Sequence, residues 1–170
     1  MLVRGPRDVQ AFLDRYLPGT SVRILDQSTA TAVEAAAAVG CPLGAIVKSL
    51  LFLADCDPRL VLVAGDRKAD QRLLATVWRI PRKRIQIADP ETVLRVTGYE
   101  VGGVPPVAHI TPLKTWIDAS LARYGTLWAA AGARNAMFPL SFADLTYITG
   151  GQVAEFTVAA RPAGASDGRP

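Results

Sequence analysis

The sequence predicts a single α/β domain, and three observations support that fold class. The chain has 170 residues, half of them apolar and a fifth charged, which suits one folded domain with a sizeable core. Two apolar runs of strand length, Ala45–Asp55 and Leu60–Ala64, are separated by a short turn and predict a hairpin, the first strand of which is buried on both faces. Amphipathic segments that begin at capping residues and end at glycine predict helices before and after this hairpin.

The helices are predicted from apolar periodicity and from capping residues at their ends. Asp89 and Ser141 are typical N-cap residues, and Pro90 suits the first position of a helix. The predicted helices are Asp8–Leu17, which ends at Pro18 and Gly19; Ala32–Val39, capped by Thr29 or Thr31 and closed by Gly40; Asp70–Trp78; Pro90–Val96; and a helix from Ser141 to Ile148 that stops at Gly150.

The remaining apolar segments predict strands, which alternate with these helices along the chain. Besides the hairpin, the predicted strands are Ser21–Leu25, Arg84–Ala88, Lys114–Asp118, Leu127–Ala131, Met137–Leu140 and Val153–Val158. The sequence has no internal repeat and no linker that would divide it. We therefore predict one domain over residues 1–160, followed by a disordered tail over residues 161–170.

The net charge is only +4, but the basic residues are unevenly distributed. Seven of the nineteen lysines and arginines lie between Arg67 and Arg84, where Asp70 is the only acidic residue. Such a stretch is able to bind phosphates. The simpler alternative is a solvated helix face and turn.

Cysteine and histidine content argues against a metal site and against a disulfide framework. Cys41 and Cys56 lack the spacing of metal ligands, and His109 is the only histidine. No apolar run reaches the ~20 residues that span a bilayer, and the first residues lack the apolar segment of a signal peptide. We therefore expect a cytoplasmic protein without a membrane partner.

Lys48 is the only charged residue in the apolar run that ends at Asp55. Strand alternation places Lys48 and its neighbour Ser49 on opposite faces. An unpaired buried ammonium group is costly, so this amine must reach a partner, a cavity or the surface. A functional lysine meets this requirement, and so does a lysine whose stem covers apolar surface along an edge strand.

A loop rich in glycine and proline is predicted over Gly98–His109. Gly102 and Gly103 allow backbone N–H groups to approach a ligand closely, and Pro106 stiffens the loop. Such a loop is able to bind an oxyanion or a carbonyl, although an ordinary tight connection has the same composition. His109 is either a proton carrier or ligand, or a structural residue. The GxSxG, HExxH, P-loop and GxGxxG motifs are absent.

These features occur together, and in this order, in one known family. The segments AIVKSLLFLAD, LVLVAGDRKADQRLLA, IADPETVLRVTGYEVGGVPPVAH, TWIDASL and WAAAGARNAMFPLSFADLTYITGGQVAEF resemble the successive motifs of the YbaK/prolyl-tRNA-synthetase-associated editing domains. The resemblance covers roughly residues 28–156. It implies a mixed, mostly antiparallel sheet that is curled or forms a partial barrel, surrounded by helices.

The same resemblance implies roles for individual residues. Lys48 corresponds to the essential lysine of the family, where it would hold the substrate electrostatically. Gly102 and Pro106 match the glycine and proline of the family's GxxxP loop, and the amides around Gly102 and Gly103 would fix the scissile ester. The implied substrate-binding residues are Ser49, Pro106 and His109, and the candidates for contact with the tRNA are Arg67, Lys68, Arg82, Lys83 and Arg84.

The resemblance implies a trans-editing hydrolase that removes alanine, serine or cysteine from mischarged tRNA(Pro). An aminoacyl ester is already activated, so the domain needs only to place water or the ribose hydroxyl and to stabilise the developing oxyanion. The implied partners are the CCA end of the tRNA and, as a candidate, prolyl-tRNA synthetase. The resemblance implies no cofactor, no metal and no DNA partner. The alternatives are a non-catalytic tRNA- or nucleotide-binding module, and a synthetase-interacting protein. The catalytic interpretation predicts an open pocket that the Lys48 amine faces and that the Gly102 loop bounds.

Overall fold

The computed structural model describes residues 2–161, so the predicted tail lies outside the described residues apart from Arg161. The helices of this region are α1 (Pro6–Tyr16), α2 (Ala32–Val39), α3 (Gln71–Trp78), α4 (Pro90–Thr97) and α5 (Phe142–Thr149). Its strands are β1 (Arg23–Ile24), β2 (Ile46–Ala54), β3 (Asp57–Ala64), β4 (Arg67–Ala69), β5 (Ile85–Ile87), β6 (Lys114–Asp118), β7 (Leu127–Ala130), β8 (Ala136–Leu140), β9 (Gln152–Ala154) and β10 (Thr157–Ala159). None of these helices is long and apolar enough to cross a membrane.

The main sheet is mixed, and strand β2 lies at its centre. The strand order is β1-β8-β7-β2-β3-β6-β9, and β5 also pairs with β2. The predicted hairpin is confirmed, because β2 and β3 pair antiparallel from Val47 opposite Ala64 to Ala54 opposite Asp57. Parallel pairs join β7 to β2, β3 to β6 and β6 to β9, and the other pairs are antiparallel. The mixed, mostly antiparallel sheet implied by the resemblance is therefore confirmed.

Helices cover both faces of this sheet. Leu60 and Leu62 of β3 are fully buried in a core that also contains residues of α1, α4 and α5. Val61 and Val63 point to the opposite face and are fully buried in a second core with α3. Helix α2 packs through Ala35 on a third, smaller cluster that includes the first residue of β2. The hairpin is thus buried on both faces, as its continuous apolar pattern predicted.

The helix ends follow the predicted capping signals. The Thr31 side chain accepts a hydrogen bond from the Glu34 N–H, so Thr31 rather than Thr29 caps α2. Gly40 closes that helix in a left-handed conformation with φ 71°. The side chains of Asp70, Asp89 and Ser141 cap α3, α4 and α5 in the same way.

Two strand predictions were wrong in detail, and one strand was not predicted. Only Arg23–Ile24 of the predicted strand Ser21–Leu25 pairs with a neighbour. The predicted strand Val153–Val158 is two strands: β9 joins the main sheet, and β10 pairs with β4 in a separate two-stranded sheet. Phe156 lies between them and is fully buried in the core beside α3, so the chain leaves the main sheet to bury this ring. Strand β4 was not predicted, because its three residues lack an apolar pattern.

Candidate active site

Strand β2 has a break in its pairing along one edge. On that edge β7 pairs with Ile46 and Val47, and β5 pairs with residues 52–54. No strand in the described part of the chain pairs with residues 48–51 on this side, whereas β3 pairs with all four on the other side. The sheet therefore has an opening beside its central strand.

A cavity of about 340 Å³ lies at this opening. Its walls are residues 46–51 of β2, residues 29–32 around the start of α2, the start of α4, and Gly102 and Val104 of the loop. The lining is mostly apolar, and the polar side chains that reach it are Thr29, Thr31, Lys48 and Ser49. Ligand pockets usually span about 300–1,000 Å³, so this cavity suits a small ligand or the end of a larger one. A pocket bounded by Lys48 and Gly102 is thus present.

The Lys48 amine has one hydrogen-bond partner among residues 2–161. Its Nζ donates to the backbone carbonyl of Arg67 at 2.6 Å, and Lys48 forms no salt bridge within the described residues. Burial lowers the pKa of Lys48 below its ordinary value, and the charges of Asp66 and Asp118 partly offset that effect. An ammonium group has three donors, so two N–H bonds of Lys48 are left for a ligand.

Two carboxylates lie near Lys48 and are held by other partners. Asp66 forms a two-point ion pair with Arg123, with N–O distances of 2.9 and 2.7 Å, and this contact lowers the pKa of Asp66. Asp118 is only 1% exposed and accepts hydrogen bonds from the N–H groups of Ala64 at 3.1 Å and Ser120 at 2.9 Å. Both carboxylates favour the charged form of Lys48 without pairing with it directly.

Asp66 and Asp118 are not among the site residues predicted from the sequence, although a signal for them was available. Asp66 follows the end of β3 by two residues, and Asp118 is the last residue of β6. Strands β3 and β6 are parallel neighbours, so their carboxyl ends lie at the same edge of the sheet. Polar residues at adjoining strand ends indicate a shared site once the strand order is known, and the strand order was not predicted.

Ser49 and Gly102 reach the cavity, whereas Gly103 supports the loop. Ser49 lines the cavity, and its hydroxyl is buried without a hydrogen-bond partner among the described residues. Gly102 has φ +95°, and a Cβ atom there would meet the Cβ atom of Ala30 at 3.2 Å. The Gly103 N–H donates to the Glu100 carbonyl at 3.1 Å, so it is used within the turn.

Comparison with known proteins identifies the family to which this site belongs. The sequence profile described as the aminoacyl-tRNA editing domain matches residues 26–148, which include the residues that line the cavity. This chain belongs to the aminoacyl-tRNA editing domain family. The family resemblance inferred from the sequence motifs is therefore confirmed.

Related proteins cover the editing domain to different extents. The uncharacterized protein YwhH of Bacillus subtilis (strain 168) is 30% identical over 141 residues, which are 82% of this chain and 88% of YwhH. The proline–tRNA ligase of Desulfovibrio desulfuricans is 37% identical over 112 residues, which are 66% of this chain but only 18% of the ligase. The editing domain thus corresponds to a small part of that ligase.

Solved structures share the fold over nearly the whole editing domain. One is the crystal structure of a protein described as a proposed trans-editing enzyme for prolyl tRNA synthetase, with 39% identity, a TM-score of 0.85, and coverage of 94% of this chain and 100% of that one. The hypothetical protein APE2540 is 28% identical, with a TM-score of 0.81 and coverage of 89% and 99%.

Pro106 and His109 lie at a second cavity of this editing domain, of about 610 Å³, which α1 and the end of α5 also line. The loop therefore contributes its Gly102 end to the first cavity and its His109 end to the second.

His109 Nε2–H donates to the Pro105 carbonyl at 2.7 Å, and burial lowers the pKa of His109 to about 4. The imidazole is thus neutral at physiological pH. His109 belongs to no group of three or more metal-binding side chains in residues 2–161.

The low pKa of His109 predicts a loss of stability in mild acid. The folded protein binds this proton only near pH 4, whereas the unfolded chain binds it near pH 6.5, so the unfolding free energy falls as pH decreases through this range. We expect His109 to contribute a decrease of about 2 kcal/mol between pH 7 and pH 5. Urea unfolding at both pH values would measure it against His109→Gln, which removes the titrating group. Equal pH dependence in both proteins would contradict the prediction.

The basic residues of the editing domain are in different environments. Arg67 donates from Nε to Thr157 Oγ1 at 2.7 Å and from Nη2 to the Thr157 carbonyl at 3.0 Å. Arg84 forms an ion pair with Asp55. The side chains that are exposed, as contacts with a tRNA backbone require, are Lys68, Arg82, Lys83 and Arg84.

Proposed function

We propose that this editing domain hydrolyses the ester of a mischarged aminoacyl-tRNA, and that its substrate is tRNA(Pro) carrying alanine, serine or cysteine. The observation that carries the proposal is the small cavity at the opening beside β2, which Lys48, Ser49 and Gly102 line. Family membership supports the reaction class. The related proline–tRNA ligase and the similar structure of a proposed trans-editing enzyme for prolyl tRNA synthetase support the choice of tRNA(Pro).

The cavity suits a small amino acid attached to the end of a tRNA. Its wall includes Ala35, Ala130 and Met137, which offer an apolar surface to a short side chain. Ser49 also lines the cavity, and its hydroxyl has no partner among the described residues. One methylene group changes binding by about 1–3 kcal/mol in such a pocket, so selectivity among alanine, serine and cysteine depends on these few contacts.

The proposed reaction is hydrolysis of an ester. A water oxygen adds to the carbonyl carbon, the bond from that carbon to the terminal ribose oxygen breaks, and this oxygen takes up the proton that the water loses. The Lys48 ammonium stabilises the negative charge that develops on the carbonyl oxygen, using a donor that Arg67 does not occupy. The backbone at Gly102, which also lines the cavity, positions the ester.

The tRNA would bind outside the cavity through its backbone. Lys68, Arg82 and Lys83 are exposed and supply positive charge for phosphate groups. Binding of this kind weakens as salt concentration rises, because each neutralised phosphate releases counterions. Prolyl-tRNA synthetase is the proposed partner that provides mischarged tRNA to the domain.

A deacylation assay tests this function directly. The purified protein is offered tRNA(Pro) charged separately with alanine, serine, cysteine and proline, beside a Lys48→Ala variant. We expect release of at least one noncognate residue, little release of proline, and loss of the activity in the variant. If tRNA binds but none of the four esters is hydrolysed, the domain is a binding module or acts on a different tRNA, and the proposal fails.

A further inference from the structure

We propose that Arg67 is a positioning residue for Lys48, and that it acts through its own backbone carbonyl and its clamp on β10 rather than by contact with tRNA. This inference rests on the proposed deacylase function. It adds the two-stranded sheet of β4 and β10 to the parts of the fold that hold the site.

The position of the Lys48 amine depends on strand β4. The Arg67 carbonyl is the only hydrogen-bond acceptor for Lys48 Nζ among the described residues, at 2.6 Å. Arg67 begins β4, which has three residues and lies outside the main sheet. A strand this short is not rigid by itself, so other contacts must fix the carbonyl.

The pairing of β4 with β10 supplies some of those contacts, and the Arg67 side chain adds two more. Its guanidinium group donates two hydrogen bonds to Thr157 of β10, one to Oγ1 at 2.7 Å and one to the carbonyl at 3.0 Å. Arg67 lies opposite Ala159 in the strand register, so the side chain reaches diagonally across the pair to Thr157. The two strands are joined by three backbone pairs, and the Arg67 side chain adds a further link from the residue whose carbonyl holds the lysine.

Strand β10 is itself held by the core. Thr157 follows Phe156, which is fully buried beside α3, and the Phe156 carbonyl accepts a hydrogen bond from the Asp70 N–H at 2.9 Å. At the other end of the pair, the Ala160 N–H donates to the Asp66 carbonyl at 3.0 Å. The contact chain thus runs from the core through β10 and Arg67 to the amine of Lys48.

Two variants test the role of this clamp. Thr157→Val removes the Oγ1 acceptor with little change of shape, and Arg67→Lys keeps the positive charge but loses the planar two-donor fork. Val158→Thr is the matched control, because Val158 lies on the same strand and is 42% exposed. Deacylation is measured at several tRNA concentrations, to separate kcat from KM, and at two salt concentrations.

We expect Thr157→Val and Arg67→Lys to lower kcat by about 10- to 100-fold with little change in KM, because a small displacement of a reacting group has an effect of this size. The Val158→Thr control should match the wild type. If Thr157→Val keeps the wild-type kcat, the inference is overturned. If the Arg67→Lys effect lies in KM and in the salt dependence, Arg67 binds tRNA instead.

A measurement without substrate separates this inference from the proposed function. In protein with ¹⁵N-labelled lysine, the Lys48 ammonium protons should exchange with water at least about tenfold faster in Thr157→Val than in the wild type, the factor expected for loss of a hydrogen bond to a charged group. Unchanged exchange in both Thr157→Val and Arg67→Lys would overturn the inference. If the wild type deacylates none of the tRNAs, but the Lys48 ammonium protons still exchange faster in Thr157→Val than in the wild type, only the proposed function is contradicted.

Discussion

Replacement of Lys48 by alanine is expected to lower kcat/KM for deacylation by about 10²–10³-fold, the usual effect of removing one donor to a developing oxyanion. Lys48 lines the cavity, and two N–H donors of its amine have no partner among residues 2–161. Single-turnover deacylation of mischarged tRNA(Pro) measures the effect. Lys48→Met should lose as much activity as Lys48→Ala, because methionine keeps the apolar stem and removes only the charge.

The stability of the Lys48→Met variant is the control for this experiment. Burial lowers the pKa of Lys48, so the folded state holds its charge less well than the unfolded chain. The unfolding free energy of the wild type should therefore rise as pH increases from the lowered pKa towards the ordinary value, and this rise should be absent in Lys48→Met. The variant should be at least as stable as the wild type at neutral pH. An active Lys48→Met variant would contradict the electrostatic role of the amine.

Replacement of Asp118 by alanine is expected to lower the free energy of unfolding by about 2–4 kcal/mol, because it leaves two backbone donors without an acceptor. Asp118 is 1% exposed and accepts from the N–H groups of Ala64 and Ser120. These two hydrogen bonds to Asp118 hold the end of β3 and the turn after β6 beside the site. Urea denaturation with linear extrapolation measures the change.

The matched variant for this prediction is Asp118→Asn. Asparagine keeps one carbonyl oxygen as an acceptor, so we expect a smaller loss of stability than in Asp118→Ala. The comparison separates the hydrogen bonds from the negative charge, which acts on Lys48. An Asp118→Ala variant with wild-type stability would show that water or a local shift replaces both hydrogen bonds.

Much of the fold was predicted from local signals. The caps Asp89 and Ser141 begin their helices as predicted, and the apolar runs of β2 and β3 form the predicted hairpin. These signals act over a few residues, so they are readable without knowledge of the tertiary structure. The division between β9 and β10 was not readable, because burial of Phe156 in a distant core separates them.

The sequence by itself determined the helices, most of the strands, the family and the residues most worth testing, because capping, apolar periodicity and motif spacing are properties of short segments. Only the tertiary structure decided how those residues meet. The opening beside β2 exists because β7 and β5 pair with different parts of one edge. Lys48 donates to a carbonyl 19 residues away, and the Arg67 side chain is held by Thr157, 90 residues further on. Contacts of this kind depend on strand order and core packing, which arise from residues far apart in the chain.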